Sequence, residues 1–178
     1  MEKYDEVLPE GYLQRWYILM IFITVGSRSF QFNRLLYAID NAREKGEIID
    51  TVFAQIGSSE YKPKTFEYVD FLNHDDFIKK INQCDIVITH GGTGVIVNSI
   101  KMGKKVIAVP RLAKYHEVVD DHQLQLVREF EKMGMITACY DEKDIAQCVN
   151  EAKLIEEVSY ASNTDSILDS IREFIHRM

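Results

Sequence analysis

Two consecutive runs of β-branched and small apolar residues, each followed directly by a polar or glycine-bearing loop and then by helical spacing, constrain this chain more than any other feature. They occupy residues 84–125, CDIVITHGGTGVIVNSIKMGKKVIAVPRLAKYHEVVDDHQLQ. Residues 85–89 leave no room for a solvent-facing side, so they read as a strand buried on both faces of a parallel sheet. His90-Gly91-Gly92-Thr93-Gly94 follows without a spacer. Its glycines let the backbone turn sharply and, lacking Cβ atoms, let a ligand or another segment come close. Val95, Ile96, Ser99, Ile100 and Met102 then recur at helical spacing, which sets the glycines at a strand-to-helix turn. Free N–H groups and the positive end of the helix dipole gather at such a turn, a ready site for a phosphate or diphosphate.

The arrangement repeats. Residues 106–109 predict a second buried strand closed by Pro110, residues 111–121 a polar loop, and His122-Gln123 the opening of a helix carried by Leu124, Val127 and Phe130. Asp120 or Asp121 is the expected N-cap. Two successive strand ends therefore bring polar groups to one edge of a sheet, the edge at which open α/β sheets bind ligands.

The remaining pattern extends this plan. Strands are expected at 21–25, 51–56, 66–69 and 136–139, with helices over 32–46, around 77–81, over 145–152 and, amphipathic, over 167–175. Six strands alternating with helices predict an α/β fold, a doubly wound, Rossmann-like parallel sheet of order 3-2-1-4-5-6. Its switch point falls between the first and fourth strands, so the loop Gly26-Ser27-Arg28-Ser29 and the loop at His90 are expected to flank one crevice. Residues 1–19, acidic and aromatic and broken by Pro9 and Gly11, read as an N-terminal extension without an assigned role, and residues 20–178 as the domain.

A net charge of −7 with no basic run argues against a nucleic-acid partner. Cys84, Cys139 and Cys148 are odd in number and lack CxxC spacing, and read as buried reduced thiols of a cytosolic protein. The longest apolar run, 16–25, is half of the roughly 20 residues a bilayer span needs. It also lacks the basic flank and cleavage site of a signal peptide, so it reads as the first core strand.

The glycine loop is neither GxGxxG after a first strand nor a P-loop with Lys-Ser/Thr, which argues against a dinucleotide cofactor and against ATP hydrolysis. Asn98, about one turn into the helix, is placed either to bond a ribose hydroxyl or simply to face solvent. His116, Asp120, Asp121, His122 and Gln123 form a polar cluster whose spacing matches no common metal set, and no metal is expected. Mixed donors and acceptors of this kind suit sugar hydroxyls or helix capping. His74 and His176 read as surface residues. No triad or paired carboxylate stands out, so no catalytic residue is assigned, and the chemistry on offer is binding and orienting a nucleotide-linked group.

ITHGGTGVIVNSIKMGKKVIAVPR followed by DDHQLQLV resembles the donor-binding, C-terminal half of GT-B glycosyltransferases of the MurG type, nearest to single-domain PssE-like proteins of exopolysaccharide and capsule synthesis. It is also similar to the catalytic subunit of the eukaryotic transferase that adds the second N-acetylglucosamine to the dolichol-linked oligosaccharide. ITVGSRSFQFNRLL and QIGSSEYKP share the likeness, which covers about residues 20–150. The resemblance implies a UDP-sugar donor and no other cofactor. Gly26, Ser27, His90, Gly91, Gly92, Thr93 and Gly94 would then face the diphosphate or sugar, and a branched residue at Gly92 is expected to block the diphosphate. Asn98 stands where such proteins usually carry an acidic ribose-binding residue. Gln123, with His122 and Asp121, would reach the sugar hydroxyls. The resemblance further implies a lipid-diphosphate-linked sugar acceptor and a membrane-associated partner supplying the acceptor half, with the chain held at the cytoplasmic face through that partner. The alternative is a non-catalytic nucleotide-binding or regulatory subunit.

Overall fold

The computed structural model describes residues 18–155. Within them lie β1 (Met20–Thr24), α1 (Asn33–Glu44), β2 (Thr51–Gln55), β3 (Glu67–Val69), α2 (His74–Gln83), β4 (Ile86–Thr89), α3 (Thr93–Lys101), β5 (Lys105–Ala108), α4 (His122–Lys132), β6 (Thr137–Ala138) and α5 (Ile145–Lys153). The strands form a single sheet of order β3-β2-β1-β4-β5-β6, parallel at every pairing, as the alternation of elements predicts. The expected extension lies almost wholly, and the expected C-terminal helix entirely, outside the described residues.

The four central strands β1, β2, β4 and β5 are mostly apolar because both of their faces are covered. Side chains alternate across a strand, and the core divides accordingly. Ile21, Ile23, Ile86, Ile88 and Ile107 meet Leu35, Leu36 and Ile39 of α1 and Val149 and Ala152 of α5 on one face. On the other, Phe22, Phe53 and Val87 meet Ile81 of α2, while Val106 and Ala108 meet Ile96 and Ile100 of α3 and Val127 of α4. The edge-to-face contact of Phe22 with Phe77, 5.5 Å between centroids, extends the second face onto α2. All three cysteines are free and buried in these layers.

Register sets the site. Thr24 of β1 lies opposite Thr89 of β4, and Thr89 opposite Ala108 of β5, so three strands end level and their loops leave the sheet side by side. The apolar pattern predicts β6 over 136–139, whereas only Thr137 and Ala138 pair, with β5. An edge strand meets one neighbour only, so its pairing ends where that neighbour's does.

One buried carboxylate anchors the long connection after β2. Asp40 on α1 accepts hydrogen bonds from Tyr61 Oη (2.7 Å), Thr65 Oγ1 (2.6 Å) and the backbone N–H groups of Lys64 and Thr65. Burial by itself would raise this carboxyl, but these donors together outweigh it and hold the group below the usual carboxylate range. A depressed folded pKa contributes stability that is full above the unfolded value of about 4 and lost as pH falls through the folded value. Melting followed from pH 5 to pH 2.5 is therefore expected to be steeper for the native chain than for Asp40→Asn. Identical slopes would show that Asp40 does not carry this linkage.

Candidate functional site

At the switch point, α3 begins without a side-chain cap. Its N-cap is Gly92, which has no side chain to offer, and no acidic residue stands in the first turn. The exposed N–H groups and the dipole of that turn are thus left for something else to satisfy. They open onto a cleft of about 460 Å³ lined by Gly26, Ser27 and Arg28 after β1, by His90 through Val95 after β4, and by Val118, Asp120, His122, Gln123 and Leu126 around the start of α4. The two loops that the sequence places apart by more than sixty residues meet here.

The glycines turn out to have different tasks. Gly26 adopts φ +85°, and a Cβ there would stand 2.6 Å from His90 Cε1; a Cβ on Gly92 would stand 2.8 Å from His90 Nε2. The two residues therefore make room for one imidazole ring. Gly91, at φ +88°, would meet Val127 Cγ2 at 2.8 Å and lets α4 approach the loop. Gly94 alone among the loop glycines opens onto free space. The expectation that Gly92 clears a path for a diphosphate is thus revised: its missing side chain accommodates His90, and Gly94 is the open position.

His90 is an uncharged ring at neutral pH. Burial pushes it down to about 4, aided by the charges of Arg111 and Arg28 and opposed by a hydrogen bond with the Thr24 main chain. Thr89 Oγ1 lies 3.4 Å from its Nδ1. Positive charge in the site comes instead from two arginines that sequence reasoning did not count among the site residues. Arg28 is exposed and lines the cleft. Arg111 is buried behind it, with Nη2 donating to Val25 O (2.7 Å) and Phe30 O (3.0 Å). Arg28 was legible from its place between Ser27 and Ser29. Arg111 belongs to the VPR motif, but no sequence pattern tells that its guanidinium crosses from the end of β5 to the end of β1.

Residues 111–121 form a strap over this edge. Arg34 of α1 holds it, with Nε 2.8 Å from Glu117 Oε1, Nη1 2.8 Å from Glu142 Oε2 and Nη2 donating to Pro110 O at 2.7 Å. Glu117 also accepts from Leu112 N. Within the strap, a single 3-10 turn at Ala113–Tyr115 ends on His116, which is left-handed at φ +57°.

Of the predicted site residues, Gly26, Ser27, His90 through Gly94, His122 and Gln123 come together around the cleft. Gln123 Oε1 is bound by the Arg111 backbone N–H at 3.3 Å. Asp121 is not part of the lining: its carboxylate accepts from Ala113 N, inside the strap. Asp121 occupies the N-cap position of α4, as expected, but its side chain makes no capping bond to the helix, and it is Asp120 that accepts from His122 N. Asn98 is exposed on the next turn of α3 and lies beyond the cleft lining. Among the described residues no group of three or more His, Cys, Asp or Glu is arranged to hold a metal ion, and no helix is long and apolar enough to cross a membrane.

Solved structures of GT-B glycosyltransferases share this doubly wound parallel sheet. The glycotransferase of kitacinnamycin aligns at a TM-score of 0.61 and 14% identity over 82% of this chain and 38% of its own. Acinetobacter baumannii MurG aligns at 0.55 and 18% over 79% and 42%. Residues 20–178 match the Glycosyltransferase family 28 C-terminal domain, and the chain belongs to that family. It is 26% identical over 142 residues to the UDP-N-acetylglucosamine transferase subunit ALG13 of Homo sapiens, covering 76% of this chain and 12% of that protein. With the subunit of the same name from Candida glabrata it shares 33% over 79 residues, 44% of this chain and 38% of that one. The chain thus spans well under half the length of these relatives. Of the two likenesses read from the motifs, these matches bear on the eukaryotic subunit, not on the PssE-like proteins.

Proposed function

We propose that this domain binds a UDP-sugar with the diphosphate against the first turn of α3, between Gly94 and Arg28, and that it is the catalytic, donor-binding subunit of a two-component glycosyltransferase. The observation that carries the reading is the uncapped start of α3 facing an arginine across an open cleft. A diphosphate supplies what that turn lacks, and the charge that grows on the leaving UDP as the sugar's C1–O bond breaks is stabilised by the same dipole and N–H groups. The relatives' name makes N-acetylglucosamine the first sugar to test. The motif resemblance to two-component transferases of this kind is what suggests a lipid-diphosphate-linked acceptor and a membrane-associated partner bearing the acceptor half at the cytoplasmic face of the membrane, and its PssE-like side alone suggests exopolysaccharide or capsule synthesis. Gln123 and His122, in the cleft lining at the start of α4, are assigned to the sugar hydroxyls.

Calorimetric titration of the purified chain with UDP, ADP and GDP is expected to show a preference for UDP. Equal affinities would count against a uridine site. Transfer from UDP-N-acetylglucosamine to a lipid-linked acceptor in detergent is expected only when an acceptor-domain protein is added. Turnover by the chain alone would refute the two-component reading while leaving the donor site intact.

A further inference from the structure

Three segments line the cleft, and one residue, Arg111, is bonded to two of them and acts through its charge on the third. Arg111 leaves the end of β5, and its Nη2 donates to Val25 O at 2.7 Å and to Phe30 O at 3.0 Å. Those two carbonyls stand at either end of the loop that carries Gly26, Ser27 and Arg28. Its own backbone N–H donates to Gln123 Oε1 at 3.3 Å, at the head of α4. Its charge acts on His90, which begins the loop after β4.

A guanidinium is a demanding way to tie loops together. Arg111 is 1% exposed, and its Nε has no hydrogen-bond partner among the described residues. An incompletely satisfied buried cation is costly. The compensations are the Phe32 ring, 5.4 Å from the guanidinium carbon, and the carboxylate of Glu117. Arg34 draws on that same carboxylate at 2.8 Å. Burial accordingly lowers Arg111 to about 10 against the pull of Glu117, with Arg28 adding to the fall. A packing role alone is met more cheaply by an apolar side chain of the same length.

We infer that Arg111 is a positioning residue for the donor cleft, its fork fixing both ends of the Gly26–Phe30 turn while its charge keeps the space behind His90 and Arg28 positive toward an anion. The inference rests on the proposed nucleotide site for its biological meaning, but not for its physical test. A planar fork spans two carbonyls; a lysine keeps the charge and loses the span. The groups facing His90 are Arg111 from the strap after β5, Arg28 from the loop after β1, the Thr24 carbonyl at the end of β1 and the Thr89 hydroxyl at the end of β4, with Asp120 and His122 across the cleft.

The test is NMR titration of the His90 ring in the nucleotide-free chain, with UDP affinity and melting temperature measured beside it, for Arg111→Met and Arg111→Lys. In the wild-type chain the ring is expected to protonate near pH 4. In Arg111→Met the midpoint is expected to rise, staying under the ordinary imidazole value because burial persists, and UDP affinity to fall by about tenfold or more, the scale of one charge-assisted contact. In Arg111→Lys the midpoint is expected to stay low while the amide signals of Gly26 and Ser27 shift and affinity falls less. An unchanged His90 midpoint together with unchanged UDP affinity in Arg111→Met overturns the inference. If that variant does not fold, Arg111→Lys decides, and unchanged loop signals with unchanged affinity overturn it. Should the wild-type chain fail to bind UDP, the donor-site reading falls, and the His90 titration still judges the positioning role.

Discussion

Gly94→Leu is expected to fold like the wild-type chain and to bind UDP at least about 100-fold more weakly, a loss of roughly 2.7 kcal/mol. A Cβ at this position meets nothing within 4 Å, so the fold has no reason to object. Gly94 also lies inside the first turn of α3, where leucine is the better helix former, and the melting temperature should hold or rise slightly. Binding suffers because the added side chain fills the approach to the N–H groups proposed to hold the diphosphate. Gly26→Ala gives the contrast. Its φ of +85° is costly for any side chain, and its Cβ would press on His90 at 2.6 Å, so stability falls before binding can be judged. Gly92→Val likewise disturbs the His90 ring first. Calorimetry and thermal melting on the three variants separate the cases. A Gly94→Leu chain that binds UDP normally would remove α3 from the donor site.

The second large effect concerns the strap. In Arg34→Met the carboxylate of Glu117, itself 1% exposed, keeps the Leu112 N–H and the field of Arg111 but loses the cation hydrogen-bonded to it. Breaking a buried pair from one side typically costs about 3 to 5 kcal/mol, and because Arg111 still compensates part of the charge we expect a loss at the low end, about 3 kcal/mol, in denaturant unfolding. Pro110 O and Glu142 lose a donor at the same time. The double variant Arg34→Met with Glu117→Gln is expected to recover part of the loss, because the stranded charge is gone. Additive losses would mean that the pair is not coupled. Because the strap leads into His122 and Gln123, donor affinity should fall in the single variant and return in part in the double.

Periodicity was enough for the architecture. Ile21, Ile23, Ile86, Ile88 and Ile107 declare strands with both faces buried, and helices spaced between such strands leave a doubly wound parallel sheet as the economical arrangement, with its order placing Gly26 and His90 at one switch point. Those statements rest on local pattern and on the handedness of crossover connections, both of which a chain carries in one dimension. Tertiary structure alone decided what each polar or glycine residue does once there. Gly92 and Gly94 look alike in HGGTG, yet one clears space for His90 and the other opens onto the cleft, because only the folded neighbours determine what an added Cβ would meet. Asp121 looks like His122 in its claim on a ligand, but its carboxylate is spent on Ala113 N. Arg34 and Arg111 read as ordinary charges until the fold brings Glu117 within 2.8 Å of one and the carbonyls of Val25 and Phe30 within 3.0 Å of the other. Burial and hydrogen-bond partnership are properties of residues far apart in the chain, and no local pattern encodes them.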